Sequence, residues 1–194
     1  MKFLFAILIS LLLSCQDTTL KSVRWRADGN QIAFLREDSV VFAFHCTFPE
    51  EEKFAVRDGF DYWNGIIGRG FFVEKENCVN DDPSNPVNAK IIAMFLDADS
   101  FSGPQILAST YVKYSDTIPE YATIWFYPSW IDASDFGKAS TARHEVGHTL
   151  GLNHSDFEKC LMFSKLDMRV YNEKLKTVCK DEETEVKRIY ERRN

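Results

Sequence analysis

Apolar residues fall in runs whose spacing changes along the chain, and turn signals separate them. Ser39 to Phe48 is dense in Val, Phe and Thr, which suit a pleated surface, and is predicted as a strand. Pro49 and three glutamates then open a helix running to about Ile67, with Phe54, Phe60, Trp63 and Ile67 at helical spacing as the face packed on a sheet. The acidic first turn suits the positive end of that helix. Gly68 and Gly70 stop it, Phe71 to Glu74 forms a short strand closing near Cys78, and an Asn, Asp and Pro-rich loop covers Asn77 to Asn88. Ala89 to Leu96 has buried-strand character, Ile106 to Tyr114 alternates as a half-exposed strand does, and Ala122 to Tyr127 is a third run. Asp132-Ala133-Ser134 offers N-caps for a helix from about Asp135 to Leu150. The stretch from Asp181 to Asn194, with Val186, Ile189 and Tyr190 apolar, reads as a closing amphipathic helix. This order predicts an α+β or α/β layer arrangement, a mixed sheet with helices packed on it.

Composition narrows the class. A chain of 194 residues, 45% hydrophobic and 14% aromatic, builds one core, so a single domain is expected over 39–194, preceded by a polar lead-in over 15–38. A formal charge of −6 with mixed signs lacks the basic stripe that nucleic-acid binding needs, so nucleic acid is excluded as a partner. A monomer is expected. Met1 to Ser14 carries one Lys and then an almost unbroken apolar run, the pattern of an export signal and too short for a stable membrane span. Leu12-Leu13-Ser14-Cys15 resembles the lipobox of bacterial lipoproteins, in which the cysteine is acylated and becomes the mature N-terminus. That resemblance implies a membrane anchor at Cys15, and Gln16 after it leans towards the outer membrane; simple secretion is the alternative. Cys46, Cys78, Cys160 and Cys179 remain, an even number in an exported chain. Of three connectivities, Cys46 with Cys78 and Cys160 with Cys179 is favoured, because each pair is near in sequence and sits at the ends of predicted elements.

The predicted helix from Asp135 contains His144-Glu145-Val146-Gly147-His148. Residues four apart share a helix face, so both imidazoles can meet one metal ion. Glu145 is turned about 100° from His144, beside the metal rather than on it, where it can take a proton from an activated water. Gly151 can adopt the left-handed conformation that ends the helix, bringing His154 to the metal from outside. Three neutral imidazoles leave a fourth tetrahedral position open, which marks a catalytic rather than a structural zinc. His45, the remaining histidine, has no ligand-spaced neighbour and is read as structural.

The full run His144 to His154 resembles the extended zinc motif of the metzincin metalloproteases, most closely the matrixin branch. Met162, eight residues beyond His154 within Cys160-Leu161-Met162-Phe163, resembles the family's Met-turn. Looser similarity upstream covers Val40 to Phe44, Tyr62-Trp63, Gln105 to Thr110 and Ala122 to Phe126. The resemblance implies a mostly parallel five-stranded twisted sheet with a long active-site helix, a second packed helix and a C-terminal helix. It also implies a zinc endopeptidase acting on protein or peptide, with His144, His148 and His154 as ligands and Glu145 as catalytic base. The substrate would lie antiparallel to the edge strand Ile106 to Tyr114, and its side-chain pocket would be walled by Phe163 to Tyr171.

Departures from the family also shape the expectation. Ser109 stands where animal matrixins carry a histidine for a second zinc, so one zinc is expected. Asp97 and Asp99 offer oxygen ligands of the type calcium takes, though two loop acids are more often merely solvated. Phe163 replaces the tyrosine of the Met-turn, and no Pro-Arg-Cys-Gly segment precedes the domain, so cysteine-switch latency is not expected. Two competing readings are a lipid-anchored adhesion protein retaining the site, which changing Glu145 would leave active, and a zinc hydrolase of a non-peptide substrate, which a substrate panel would separate.

Overall fold

Strand β1 (Val40–Phe44) is the apolar run Val-Val-Phe-Ala-Phe, buried at every position but Val41 because it has a parallel neighbour on each side. The computed structural model describes residues 37–96, 106–115, 118–164 and 177–190. After β1, a 3-10 turn at Glu50–Glu52 leads into α1 (Lys53–Ile67), followed by β2 (Phe72–Glu74), β3 (Ile91–Phe95), β4 (Ala108–Ser115), β5 (Ile118–Phe126), α2 (Asp135–Thr149) and α3 (Lys180–Tyr190). The sheet order is β2-β1-β3-β5-β4. All pairings are parallel except β4 with β5, so the antiparallel strand lies at the edge. This is the mixed, mostly parallel five-stranded α+β arrangement expected.

The period of two along the strands assigns the layers. Phe42, Phe44, Ile91, Ala93, Ile124 and Phe126 point into one large core with Phe60 and Trp63 of α1, Val146 of α2 and Val186 of α3. On the opposite face Ala43 and Ile92 pack with Val79 and Ala89 from the loop between β2 and β3. That loop is tied down by the Tyr121 hydroxyl donating to Ser84 O and the Thr123 hydroxyl donating to Pro83 O at 2.9 Å. Both faces of the sheet are therefore covered, which the continuous apolar character of β1 and β3 requires.

Several expectations need correction. Phe54 does not join the packed stripe and is 78% exposed; the buried face of α1 is Val56, Phe60, Trp63 and Ile67. Six residues from Phe60 places Phe54 about 240° around the helix, off that face. The acidic opening does not simply lie along the helix dipole either. Glu52 is buried, accepting from Trp130 Nε1 at 2.9 Å and pairing with Lys138 Nζ at 2.7 Å, so it clamps the start of α1 to the start of α2. β1 is shorter than Ser39 to Phe48, since His45 makes only a single bridge to Val79 beside the Cys46–Cys78 disulfide. β5 begins at Ile118, four residues before the predicted Ala122, and forms a hairpin with β4. Pro119 concealed this extension, because proline within a run argues against a strand; it is accommodated next to a register shift at Lys113/Tyr114.

The second disulfide, Cys160–Cys179, joins the segment after α2 to the start of α3. Both pairings are the ones favoured from the sequence. Cys179 N–H donates at 3.0 Å to Oε2 of the buried Glu182, three residues on, a cap of α3. Burial, with a smaller contribution from Asp181, pushes the Glu182 carboxyl up to about 7, while the Cys179 bond pulls it down. Between its ordinary value near 4.5 and about 7, native Glu182 holds a proton that the unfolded chain releases, so its contribution to stability falls as pH rises and is lowest above 7. Glu182→Gln keeps the cap acceptor without the charge. Urea midpoints are expected to match between wild type and variant near pH 4.5 and to favour the variant by on the order of 1 kcal/mol at pH 8.

Candidate active site

Helix α2 is fixed at both ends before it presents any functional group. Ser134 Oγ accepts from Gly137 N–H at 3.2 Å and caps the start, one of the caps the sequence offers. At the other end Gly151 has φ 89°, with its N–H on His148 O at 3.0 Å and Leu152 N–H on Gly147 O at 3.2 Å. These two bonds form a Schellman motif, which reverses the chain within two residues. Just before the histidines, Arg143 makes a bidentate pair with Asp58 at 2.7 and 3.0 Å, and Trp63 Nε1 donates to Arg143 O at 2.7 Å. α2 is thereby braced against α1.

The reversal brings three imidazoles together. His148 Nε2 lies 3.0 Å from His144 Nε2 and 3.2 Å from His154 Nε2. His144 Nδ1 is 2.8 Å from Leu161 O and His148 Nδ1 is 2.7 Å from Leu152 O. A carbonyl oxygen only accepts, so both Nδ1 atoms carry the proton and both Nε2 atoms present bare lone pairs. Partial burial and the nearby His144 hold His154 below its ordinary pKa, which favours its neutral, ligating form. Lone pairs facing one another at this range repel unless a cation lies between them, and tetrahedral zinc with its nitrogens at about 2.0–2.1 Å would set them about 3.3 Å apart. The donor set fits a zinc ion.

Met162 is fully buried close to Gly147 of α2, in a turn closed by Phe163 N–H on Cys160 O. The same turn supplies the Leu161 carbonyl that orients His144. Ser155 N–H donates to Met162 O at 2.6 Å, so the chain leaving His154 is tied to the turn. Glu145, one residue from His144, is buried, and its carboxyl accepts from the Thr110 hydroxyl of β4 at 2.7 Å. Burial pushes that carboxyl up to about 7, with the Thr110 bond acting in the opposite direction.

His144, His148, His154 and Glu145 line one cleft of about 410 Å3, with Ile106 to Thr110 along one side and Ser164 also at its wall. The family model for matrixin matches residues 25–191. The chain belongs to the matrixin family. Matrixins are zinc metallopeptidases, and so is this chain. Among solved structures, the matrixin resembles the crystal structure of archaemetzincin from Methanopyrus kandleri, with TM-score 0.53 and 11% identity over 81% of this chain and 98% of that one. At that identity the likeness speaks for the fold. No curated protein matches in sequence.

The sequence-predicted ligands, base and Met-turn residue of this matrixin thus come together in one place. Ser109, at the position of the missing histidine, bonds the Tyr127 hydroxyl at 2.8 Å, and His45 lies elsewhere, bonded to Thr47. Cys15, Asp97, Asp99 and most of the Phe163 to Tyr171 segment lie outside the described residues. The sequence did not single out Thr110 or Gly147. Thr110 stood inside the predicted edge strand with no spacing to mark it, whereas Gly147 stood inside the zinc motif itself.

Gly147 is needed for close approach: a Cβ there would lie 2.6 Å from Met162 Sδ and 2.9 Å from Trp63 Cζ2. Gly147→Ala is expected to cost about 1–3 kcal/mol in urea unfolding through overpacking. It is also expected to weaken zinc retention against a chelator, because the turn it displaces carries the Leu161 carbonyl. Gly65→Ala, in α1 with nothing within 4 Å of the added Cβ, serves as the control and is expected to be neutral or slightly stabilising.

Proposed function

We propose that this matrixin is an endopeptidase in which His144, His148 and His154 hold a single catalytic zinc and Glu145 is the general base. The observation that carries this reading is the convergence of three Nε2 atoms beside a buried carboxyl, in a cleft flanked by a sheet edge. Zinc in that position supplies polarisation of the scissile carbonyl and a lowered pKa for water. Everything else falls to the chain. The outer side of β4 has no strand partner among the described residues, so an extended peptide can add to it antiparallel and bring one carbonyl over the histidines. Glu145 takes a proton from the attacking water and later delivers it to the leaving amine. A carboxyl raised towards neutrality by burial suits both steps, since it neither holds its proton too tightly nor gives it up too early.

The apolar leader ending at Cys15 and the two disulfides support an exported protein anchored in the cell envelope through an acylated Cys15, acting on protein or peptide. The deciding experiment uses the soluble chain from Gln16, measuring zinc content and cleavage of a broad peptide library beside Glu145→Ala. One zinc per chain is expected in both proteins, with cleavage lowered by about a thousandfold in the variant. Stoichiometric zinc in a wild type that cleaves no peptide would point instead to a non-peptide substrate or a binding role.

A further inference from the structure

Glu145 has a single hydrogen-bond partner for its carboxylate among the described residues, and that partner is neither on its own helix nor one of the histidines. Thr110 Oγ1 lies 2.7 Å from Glu145 Oε2 and 3.0 Å from the main-chain oxygen of the same residue. Thr110 sits within β4, paired with Ile124 of β5, and that strand forms the flank of the cleft. A hydroxyl has one hydrogen to donate, and Thr110 has two acceptors in range, both belonging to one residue. Its β-branched side chain restricts χ1, so the hydroxyl is delivered from the sheet in a restricted orientation.

We propose that Thr110 is the positioning residue for Glu145: its hydroxyl holds Oε2 towards the edge strand and leaves Oε1, which has no hydrogen-bond partner among the described residues, available to a reacting water. This rests on the peptidase reading above and adds a part that the zinc motif does not contain. When the carboxylate is ionised, Thr110 donates to Oε2. When Oε1 carries the proton taken from water, Oε2 is still an acceptor and Thr110 keeps donating to it, with the Glu145 carbonyl, 3.0 Å away, as its other acceptor. One hydroxyl serves both forms without a change of partner residue. Because the same strand would seat the peptide backbone, the base and the substrate are referred to a common rigid element, the arrangement that near-attack geometry needs.

The test compares Thr110→Val, which keeps the shape and removes the hydroxyl, with Thr110→Ser, which keeps the hydroxyl and removes the methyl. With zinc-loaded proteins and one peptide substrate, Val is expected to lower kcat by roughly ten- to hundredfold with KM within about twofold, and Ser to stay within about threefold of wild type. Zinc content and urea midpoints of both variants are expected to stay near wild type. Equal activity in Val and wild type, or equal loss in Ser and Val, would overturn the proposal. A readout independent of cleavage comes from crystal structures of the metal-free proteins. Glu145 is expected to keep its rotamer in Ser and leave it in Val; an unmoved carboxylate in Val refutes the positioning role even if no peptide substrate is found. A wild type that binds zinc and cleaves nothing counts against the peptidase reading alone, and the crystallographic comparison then decides the role of Thr110.

Discussion

Three imidazole nitrogens with their lone pairs turned towards one another are an unfavourable arrangement in the absence of a cation, and the surrounding structure exists to hold them there. Helix periodicity aligns two of them, but alignment alone leaves each ring free to rotate about its Cβ–Cγ bond. The carbonyls of Leu152 and Leu161 remove that freedom by fixing the protonated nitrogen of each ring. Both carbonyls come from chain that lies beyond α2, so the helix end at Gly151 and the turn at Met162 are as much a part of the candidate metal site as the histidines. The long-range bracing of α2 by Asp58 and Trp63 then registers this whole unit against α1.

What the sequence made legible is what local spacing determines. A ligand pair four apart, a glycine three residues later and a third histidine three beyond that describe a helix, its end and a reversal, and each is a backbone event that needs no knowledge of the rest of the fold. The Met-turn was legible through its resemblance to the family's, and the disulfides because four cysteines in a chain read as exported allow only three connectivities. The contacts that escaped are those made across the chain. Thr110 and Glu145 are 35 residues apart, and Glu52 and Lys138 are 86 apart; nothing in either neighbourhood announces the other. Phe54 was misassigned because its spacing of six residues from Phe60 is not a helical repeat, so within α1 it falls off the face that Phe60, Trp63 and Ile67 share. Pro119 hid the front of β5 because a proline is tolerated there only through the hairpin that β4 provides.

The site combines two environments that pull in opposite directions. Glu145 lies out of solvent, which raises the cost of its charge, while His154 is exposed at the mouth of the cleft. A carboxyl buried beside an accessible imidazole is shielded from bulk water by its own sheet and helix, yet lines a cleft that β4 flanks. The same sheet edge therefore carries both the hydrogen-bond partner of Glu145, Thr110, and one wall of the cleft.

An open sheet edge has a cost that a closed fold avoids. N–H and C=O groups of β4 that have no strand partner among the described residues can pair with the edge of another copy, and such edge-to-edge growth is a common path to aggregates. The register shift at Lys113/Tyr114 interrupts the strand beyond the cleft, and the ion pair between Lys113 and Glu120 places charge on that half of the hairpin. The uninterrupted stretch of β4 is thereby confined to Ala108 to Lys113, and its first three residues are the ones that line the cleft beside the histidines.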